Sequence, residues 1–252
     1  MSRIQESEEV LKEYLKIAAT YSFPLFWGTQ EKGIVQNGTA FILDAGSRKF
    51  VVTAAHVYRS YLTQKGQGKA SICQISKLAV DLEKRLLSIP NSNEIDIETF
   101  EISDQEIDKI GANVLRGSND SWPPSRPKRD SMVVVSDFPG IERQEKGIDY
   151  YSFGYYCFNT PINTISDRNF GCSFDRKYWV DARGKGLPPT NYDMGGISGA
   201  PATALIKSEF GIVTWRLAGI VYESVASEML EEIMFAHHVD FIRSNGEIKE
   251  NA

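Results

Sequence analysis

Val51-Val52-Thr53-Ala54-Ala55-His56-Val57 is an apolar run that passes through two alanines into a histidine. Working outward, Phe41-Ile42-Leu43 and Phe50-Val51-Val52 flank Asp44-Ala45-Gly46-Ser47. That pattern predicts a β-hairpin whose second strand delivers His56. Small side chains at 54 and 55 leave room for an imidazole to sit against its partners. A lone histidine at a strand end is equally often a satisfied structural residue, so the stretch gains chemical meaning only beside a second one.

The second stretch is Met194-Gly195-Gly196-Ile197-Ser198-Gly199-Ala200-Pro201. Glycines on both sides of a serine permit a tight turn with unusual φ/ψ and leave no side chains to block an approaching substrate. The N–H groups of Gly196 and Ser198 could then point into one oxyanion hole. Read alone, the segment is also simply a glycine-rich loop.

The rest of the chain reads as strands. Segments 85–89, 95–102, 132–138, 150–158, 202–206 and 212–222 are rich in β-branched and aromatic residues and are mostly separated by turn residues. Short strands with frequent turns predict an all-β barrel or sandwich. Val10, Leu11, Tyr14, Leu15 and Ala18 recur at helical spacing, with Ser7 as an N-cap and Glu8 and Glu9 in the first turn. Val239-Asp240-Phe241-Ile242-Arg243 predicts a short closing helix before Gly246. The Pro-rich, polar stretch 118–130 divides the β-rich chain. The expected units are an N-terminal helix (1–22), a first β unit (23–117), a linker (118–130), and a second β unit with a C-terminal helix (131–252).

Bulk properties narrow the function. The 252 residues are 42% hydrophobic and 24% charged, which suits a globular chain with a sizeable core. A net charge of −5 and a pI near 5.4 lack the footprint of a nucleic-acid binder. Arg126-Pro127-Lys128-Arg129 is short and proline-flanked, and reads as a solvated connector. Cys73, Cys157 and Cys172 are too few and too far apart for a disulfide framework or a zinc site. No segment reaches the length of a membrane span, and the Glu/Lys-rich start lacks the apolar core of a secretory signal. The expected setting is cytoplasmic.

Taken together, the two motifs resemble those of the chymotrypsin/trypsin-like serine peptidases. In that family Thr-Ala-Ala-His carries the base and Gly-Asp-Ser-Gly-Gly-Pro the nucleophile; here they read Thr53-Ala54-Ala55-His56 and Gly196-Ile197-Ser198-Gly199-Ala200-Pro201. The family's intervening aspartate usually opens a strand as Asp-Ile-Ala, and Ile95-Asp96-Ile97-Glu98 fits that slot, with Asp81, Asp104 and Asp108 as substitutes. The order His, Asp, Ser is the family's. Gly38-Thr39-Ala40-Phe41, Val133 to Gly140 and Leu217 to Val221 echo further family strands, so the likeness runs from about Gly33 to about Ile242. It implies two antiparallel six-stranded β-barrels, a His56–Asp96–Ser198 triad in the cleft between them, an oxyanion hole at Gly196 and Ser198, a peptide or protein substrate, and no cofactor or metal.

The sequence also departs from the family. Secreted trypsin-like enzymes place an aspartate before the serine, where it pairs with a newly cut N-terminal amine. Ile197 stands there and cannot form that pair, so the loop must be held in another way, intrinsically or by a regulatory protein partner. The specificity aspartate's position is Tyr192, with Asp193 one place off; Tyr192, Asp193, Tyr222 and Ser224 are the candidate pocket residues. His237 and His238 are adjacent in a strand and point to opposite faces, which disfavours one shared metal ion. Trp122, Trp179 and Trp215 are assigned to packing. Rival readings are a non-catalytic binding protein of the same fold, a partner-regulated protease effector of a bacterial system, and an esterase of another fold. Pro201, so soon after the serine, opposes the helix that an esterase elbow requires.

Overall fold

Strands rich in β-branched and aromatic residues are the main element of the molecule, and several, such as Lys49–Thr53 and Met132–Asp137, are buried along nearly their whole length. A computed structural model of the chain describes residues 8–29, 35–87, 94–117, 122–146, 151–174, 178–189, 192–207, 210, 213–227 and 230–249. The first sheet holds β1 (Ser22–Thr29), β2 (Val35–Asp44), β3 (Lys49–Thr53), β4 (Ala70–Ile75), β5 (Leu78–Val80), β6 (Glu98–Glu101) and β7 (Val114–Arg116). Its order is β5-β4-β1-β2-β3-β6, with β7 parallel to β2, and it curls into a half-barrel. The second unit holds β8 (Met132–Asp137), β11 (Tyr156–Ile165), β12 (Asn169–Ser173), β13 (Pro201–Lys207), β14 (Val213–Ser227) and β15 (Leu230–His238). These close a six-stranded antiparallel barrel in the order β11-β12-β15-β14-β13-β8. A separate ribbon pairs β9 (Arg143–Glu145) with β10 (Tyr151–Phe153). The architecture is the expected all-β, two-barrel one, with seven strands in the first unit instead of six.

Several local expectations need correction. The hairpin of 41–52 forms, with Phe41 opposite Val52 and Gly46 at φ +93°. His56, however, is not at a strand end: it lies in the first turn of a helix, α2 (Ala55–Gly66). A further helix, α3 (Asp104–Ile110), was also unforeseen. Segment 85–89 is no strand in its described part; it holds the end of a 3-10 turn (Leu82–Arg85) and a single bridge at Leu86. Of 95–102 only Glu98–Glu101 pairs, and 150–158 is split between β10 and β11. The closing helix is one 3-10 turn, Val239–Phe241. Ser7, offered as a helix cap, lies outside the described residues.

The N-terminal helix is α1 (Glu8–Ala19). It buries Leu15 and Ala18 against Val134, Cys157 and Ala182 on the outside of the second barrel. Strand alternation explains the contact: Val133 and Val135 face the barrel interior, while Val134 between them faces α1. The described end of the 118–130 connector is anchored. Trp122 Nε1 donates to Ile242 O at 2.8 Å, and Arg126 pairs with Asp240 at 3.0 Å, so Arg126 is not the free solvated charge expected of it.

Each unit has its own core, one around Leu25, Trp27, Ile42 and Phe100, the other around Phe158, Phe170 and Met234. A third cluster joins them. Phe41, Phe50 and Ile97 from the first unit pack on Leu217, Ile220 and Phe241 from the second. Burying that many apolar side chains at about 25 cal/mol per Å² fixes the two units against each other.

Candidate active site

The backbone of β3 stays extended through Ala54 (φ −77°, ψ 138°) and enters α2 at Ala55. The first N–H groups of a helix lack intrahelical acceptors. Asp96 supplies one: His56 N–H donates to Asp96 Oδ1 at 2.8 Å. The other carboxylate oxygen, Oδ2, lies 2.5 Å from His56 Nδ1. One carboxylate therefore grips both the backbone and the ring of His56. A carboxylate can only accept, so Nδ1 carries a proton, and in the neutral ring the lone pair is on Nε2. Ala54 and Ala55, the two residues before His56, are wholly buried.

Asp96 is held ionised by its neighbours. Burial is the largest influence and pushes its pKa up, but the hydrogen bonds and charge of His56, with the Arg59 guanidinium, carry it below the usual carboxylate value. Arg59 stands one helical turn after His56 and donates to Asp96 Oδ1 at 2.8 Å. Sequence reading missed this residue, although spacing i, i+3 on a helix would have found it had α2 been foreseen.

A second missed residue is His237. Its Nε2 accepts the Asp96 backbone N–H at 3.0 Å, and its ring stacks on Tyr222 with centroids 4.0 Å apart and planes 18° apart. His238 turns the other way, its Nε2 lying 3.0 Å from Ser166 O. No sequence signal singles out His237, because its partners come from distant segments.

Ser198 is pressed against the first unit. Its carbonyl accepts Thr39 N–H at 2.9 Å. Gly199 follows at φ +93°, and a Cβ there would lie 2.0 Å from Thr39 O and 2.4 Å from Thr53 Oγ1, so only glycine fits. These contacts bring the serine segment against Thr53 and Ala54, just before His56. The Ser198 hydroxyl donates to Tyr222 O at 3.3 Å. Among the described residues no hydrogen bond joins that hydroxyl to His56.

The peptide before the serine is ordered from both sides. Gly195 O accepts Gly140 N–H at 2.6 Å. N–H and C=O point oppositely across a trans peptide, so Gly196 N–H is directed away from Gly140. Thr39 Oγ1 accepts Phe138 N–H at 3.0 Å and donates to Gly196 O at 2.8 Å. Asn37 Nδ2 donates to Phe138 O at 2.7 Å. Among the described residues, the N–H groups of Gly196 and Ser198 have no protein acceptor, as an oxyanion hole requires. Ile197 is 2% exposed and packs with Met194, Tyr156 and Ala200. Apolar burial and neutral hydrogen bonds thus order the loop where the family uses an ion pair.

The pocket candidates divide. The half-buried Tyr192 donates its hydroxyl to Glu142 Oε1 at 2.9 Å, and burial together with that carboxylate pushes its pKa up. Asp193 is exposed and folds back to accept Gly195 N–H at 2.8 Å. Tyr222 serves the site through its carbonyl, while its ring lies on His237. Ser224 is half-buried opposite Met234. Glu232, unforeseen, has its pKa raised by burial and then by the charge of Asp193. β14 outruns its neighbour β13 at Ile220, and Gly199 and Ala200 bond Val221. Beyond that point the β14 edge at 222–224 faces no strand among the described residues.

No family model matches the chain, and no curated protein matches it in sequence. Solved structures do resemble it. The Rv3671c protease from M. tuberculosis, in its active form, aligns with a TM-score of 0.51 and 12% identity over 95% of this chain and 88% of that one. A serine endoprotease from Yersinia pestis aligns with a TM-score of 0.52 and 14% identity over 94% of this chain and 64% of that one. The fold is that of the chymotrypsin-like serine peptidases.

Proposed function

We propose that the chain is a serine endopeptidase in which Ser198 is the nucleophile, His56 the general base and Asp96 the carboxylate that orients it. The supporting observation is the double grip of Asp96 on His56, which occupies Nδ1 and leaves Nε2 as the ring nitrogen that can take the serine's proton. In the reaction Ser198 Oγ attacks the substrate's carbonyl carbon as its proton passes to His56 Nε2. The oxyanion is met by the N–H groups of Gly196 and Ser198, each worth about 10² to 10³ in rate. His56 then protonates the leaving amine, and water repeats the cycle on the acyl-enzyme. Before attack the hydroxyl must leave Tyr222 O, a long bond at 3.3 Å that is cheaply exchanged. An extended peptide adds to the open edge of β14 at 222–224 as an extra strand. We place the enzyme in the cytoplasm, which suits three buried, unpaired thiols.

A fluorophosphonate probe and a protein-digest assay test the assignment. Wild type is expected to label and to cleave, Ser198→Ala to do neither, and His56→Ala to lose on the order of 10⁴ or more in kcat. Folded wild-type protein that neither labels nor cleaves at any pH would overturn it. One observation favours a second reading, that of a peptidase waiting for a regulatory partner or a binding protein of this fold: the Ser198 hydroxyl is bonded to Tyr222 and not to His56. Labelling that appears only when a partner protein is added would support the first of these.

A further inference from the structure

We propose that His237, a second-barrel residue, is a positioning residue that ties Asp96 to Tyr222 and works only as a neutral ring. The inference rests on the peptidase reading above. The Asp96 backbone N–H can only donate, so the His237 Nε2 that meets it at 3.0 Å must be the unprotonated nitrogen. The ring proton then sits on Nδ1, 3.2 Å from Arg168 O, which can only accept. Both neighbours demand the same tautomer.

The ring is 3% exposed and is clamped on its face. Tyr222 stacks on it, and the Tyr222 hydroxyl accepts Asn169 Nδ2 at 3.1 Å. Phe241 approaches edge-on, with centroids 6.3 Å apart. The carbonyl of Tyr222 is the one that holds Ser198 Oγ. One imidazole therefore touches the residue that orients His56 and the residue that holds the nucleophile, and these come from different barrels. Without an acceptor the Asp96 N–H is stranded in a partly buried place, and the segment that carries the carboxylate is free to shift. Displacements of about 1 Å can cost on the order of a hundredfold in rate.

Protonation would put an Nε2–H against the Asp96 N–H, donor against donor. The charges around the ring are Asp96, which favours its protonation, and His238 and Arg168, which oppose it; Arg168 is itself paired with Glu94 at 2.7 Å. Burial outweighs all of these and lowers the His237 pKa, keeping the ring neutral at ordinary pH.

The test compares wild type, His237→Phe and His237→Gln, with active sites counted by fluorophosphonate labelling. Phenylalanine keeps the stack and loses the acceptor; glutamine can place an oxygen where Nε2 was. His237→Phe is expected to lose about ten- to a hundredfold in kcat with KM within about twofold, and His237→Gln to recover most of it. The acid limb of kcat/KM should steepen towards two protons in wild type and keep a one-proton slope in His237→Gln, a readout that survives if His237→Phe fails to fold. Equal kcat in wild type and His237→Phe, equal impairment of the two variants, or a one-proton limb in wild type would overturn the inference. Failure of wild type itself to label or cleave would instead overturn the peptidase reading, and this inference with it.

Discussion

Arg59 and the backbone of His56 donate to the same atom, Oδ1 of Asp96, each at 2.8 Å. The His56 ring takes the other oxygen. The carboxylate is thus shared between an imidazole and a permanent cation three residues further along the same helix. That cation joins His56 in holding the Asp96 carboxyl ionised against the opposing effect of burial.

Removing it has a defined sign. Arg59→Ala should move the acid limb of kcat/KM to higher pH, because Asp96 loses one of the groups that hold its pKa down; Arg59→Lys should move it less. Arg59 is 44% exposed on its side chain, so the loss of folding stability should stay below about 1 kcal/mol. A pH–rate profile and a urea melt check both halves, and an unmoved acid limb would show that the cation does not govern the ionisation of Asp96.

Thr39→Val tests how the loop before Ser198 is held. Thr39 is fully buried, and its hydroxyl serves Phe138 N–H and Gly196 O at once. Valine keeps the shape and strands both groups, at a cost of about 1–3 kcal/mol. On the proposed reading of Gly196 and Ser198 as oxyanion donors, kcat should fall by roughly tenfold or more with KM little changed.

Substitutions at Ile197 separate burial from pairing. Ile197→Val should cost about 0.5–1.5 kcal/mol. Ile197→Asp, which introduces the residue that secreted trypsin-like enzymes carry there without its amine partner, puts an unpaired carboxylate in an apolar core and should cost at least about 3 kcal/mol. Denaturant midpoints measure both, and a stable, active Ile197→Asp would show that a cation already waits in that pocket.

Glu98 gives a pH dependence of folding. It is 3% exposed, its Oε1 has no hydrogen-bond partner, and burial raises its pKa to about 8. The unfolded chain releases this proton near 4.5, so the folded state binds the extra proton between those values. Its contribution to stability therefore falls as pH rises from about 4.5 to about 8, by roughly 1.4 kcal/mol per unit. Glu98→Gln should flatten that slope. Denaturant titrations of both proteins at pH 6 and pH 8 give the comparison, and parallel slopes would rule out a buried proton.

Much of the fold was legible locally. The hairpin around Gly46 and the glycine-flanked serine depend on turn chemistry within a few residues. The helix α3 was legible too and was missed: Ser103 and Glu106 form a capping box, and Gly111 closes the helix at φ +70°. α2 was harder. Ala54 offers no side-chain cap, and its N-terminus is satisfied by Asp96, forty positions on. Arg59 could not be linked to Asp96 before that helix was known.

Sequence alone determined the chemistry available and its order along the chain: a histidine after small residues, an aspartate, and a serine between glycines, in a strand-rich polymer. Those are properties of residue type and short-range backbone preference. The tertiary structure alone decided that Asp96 grips His56 twice, that Arg59 shares it, that His237 holds its backbone from the other barrel, and that Thr39 and a buried Ile197 order the loop where an ion pair was missing. Each of these contacts joins segments far apart in the chain, and their geometry is set by how the two barrels pack around Phe41, Leu217 and Phe241, which no local pattern encodes.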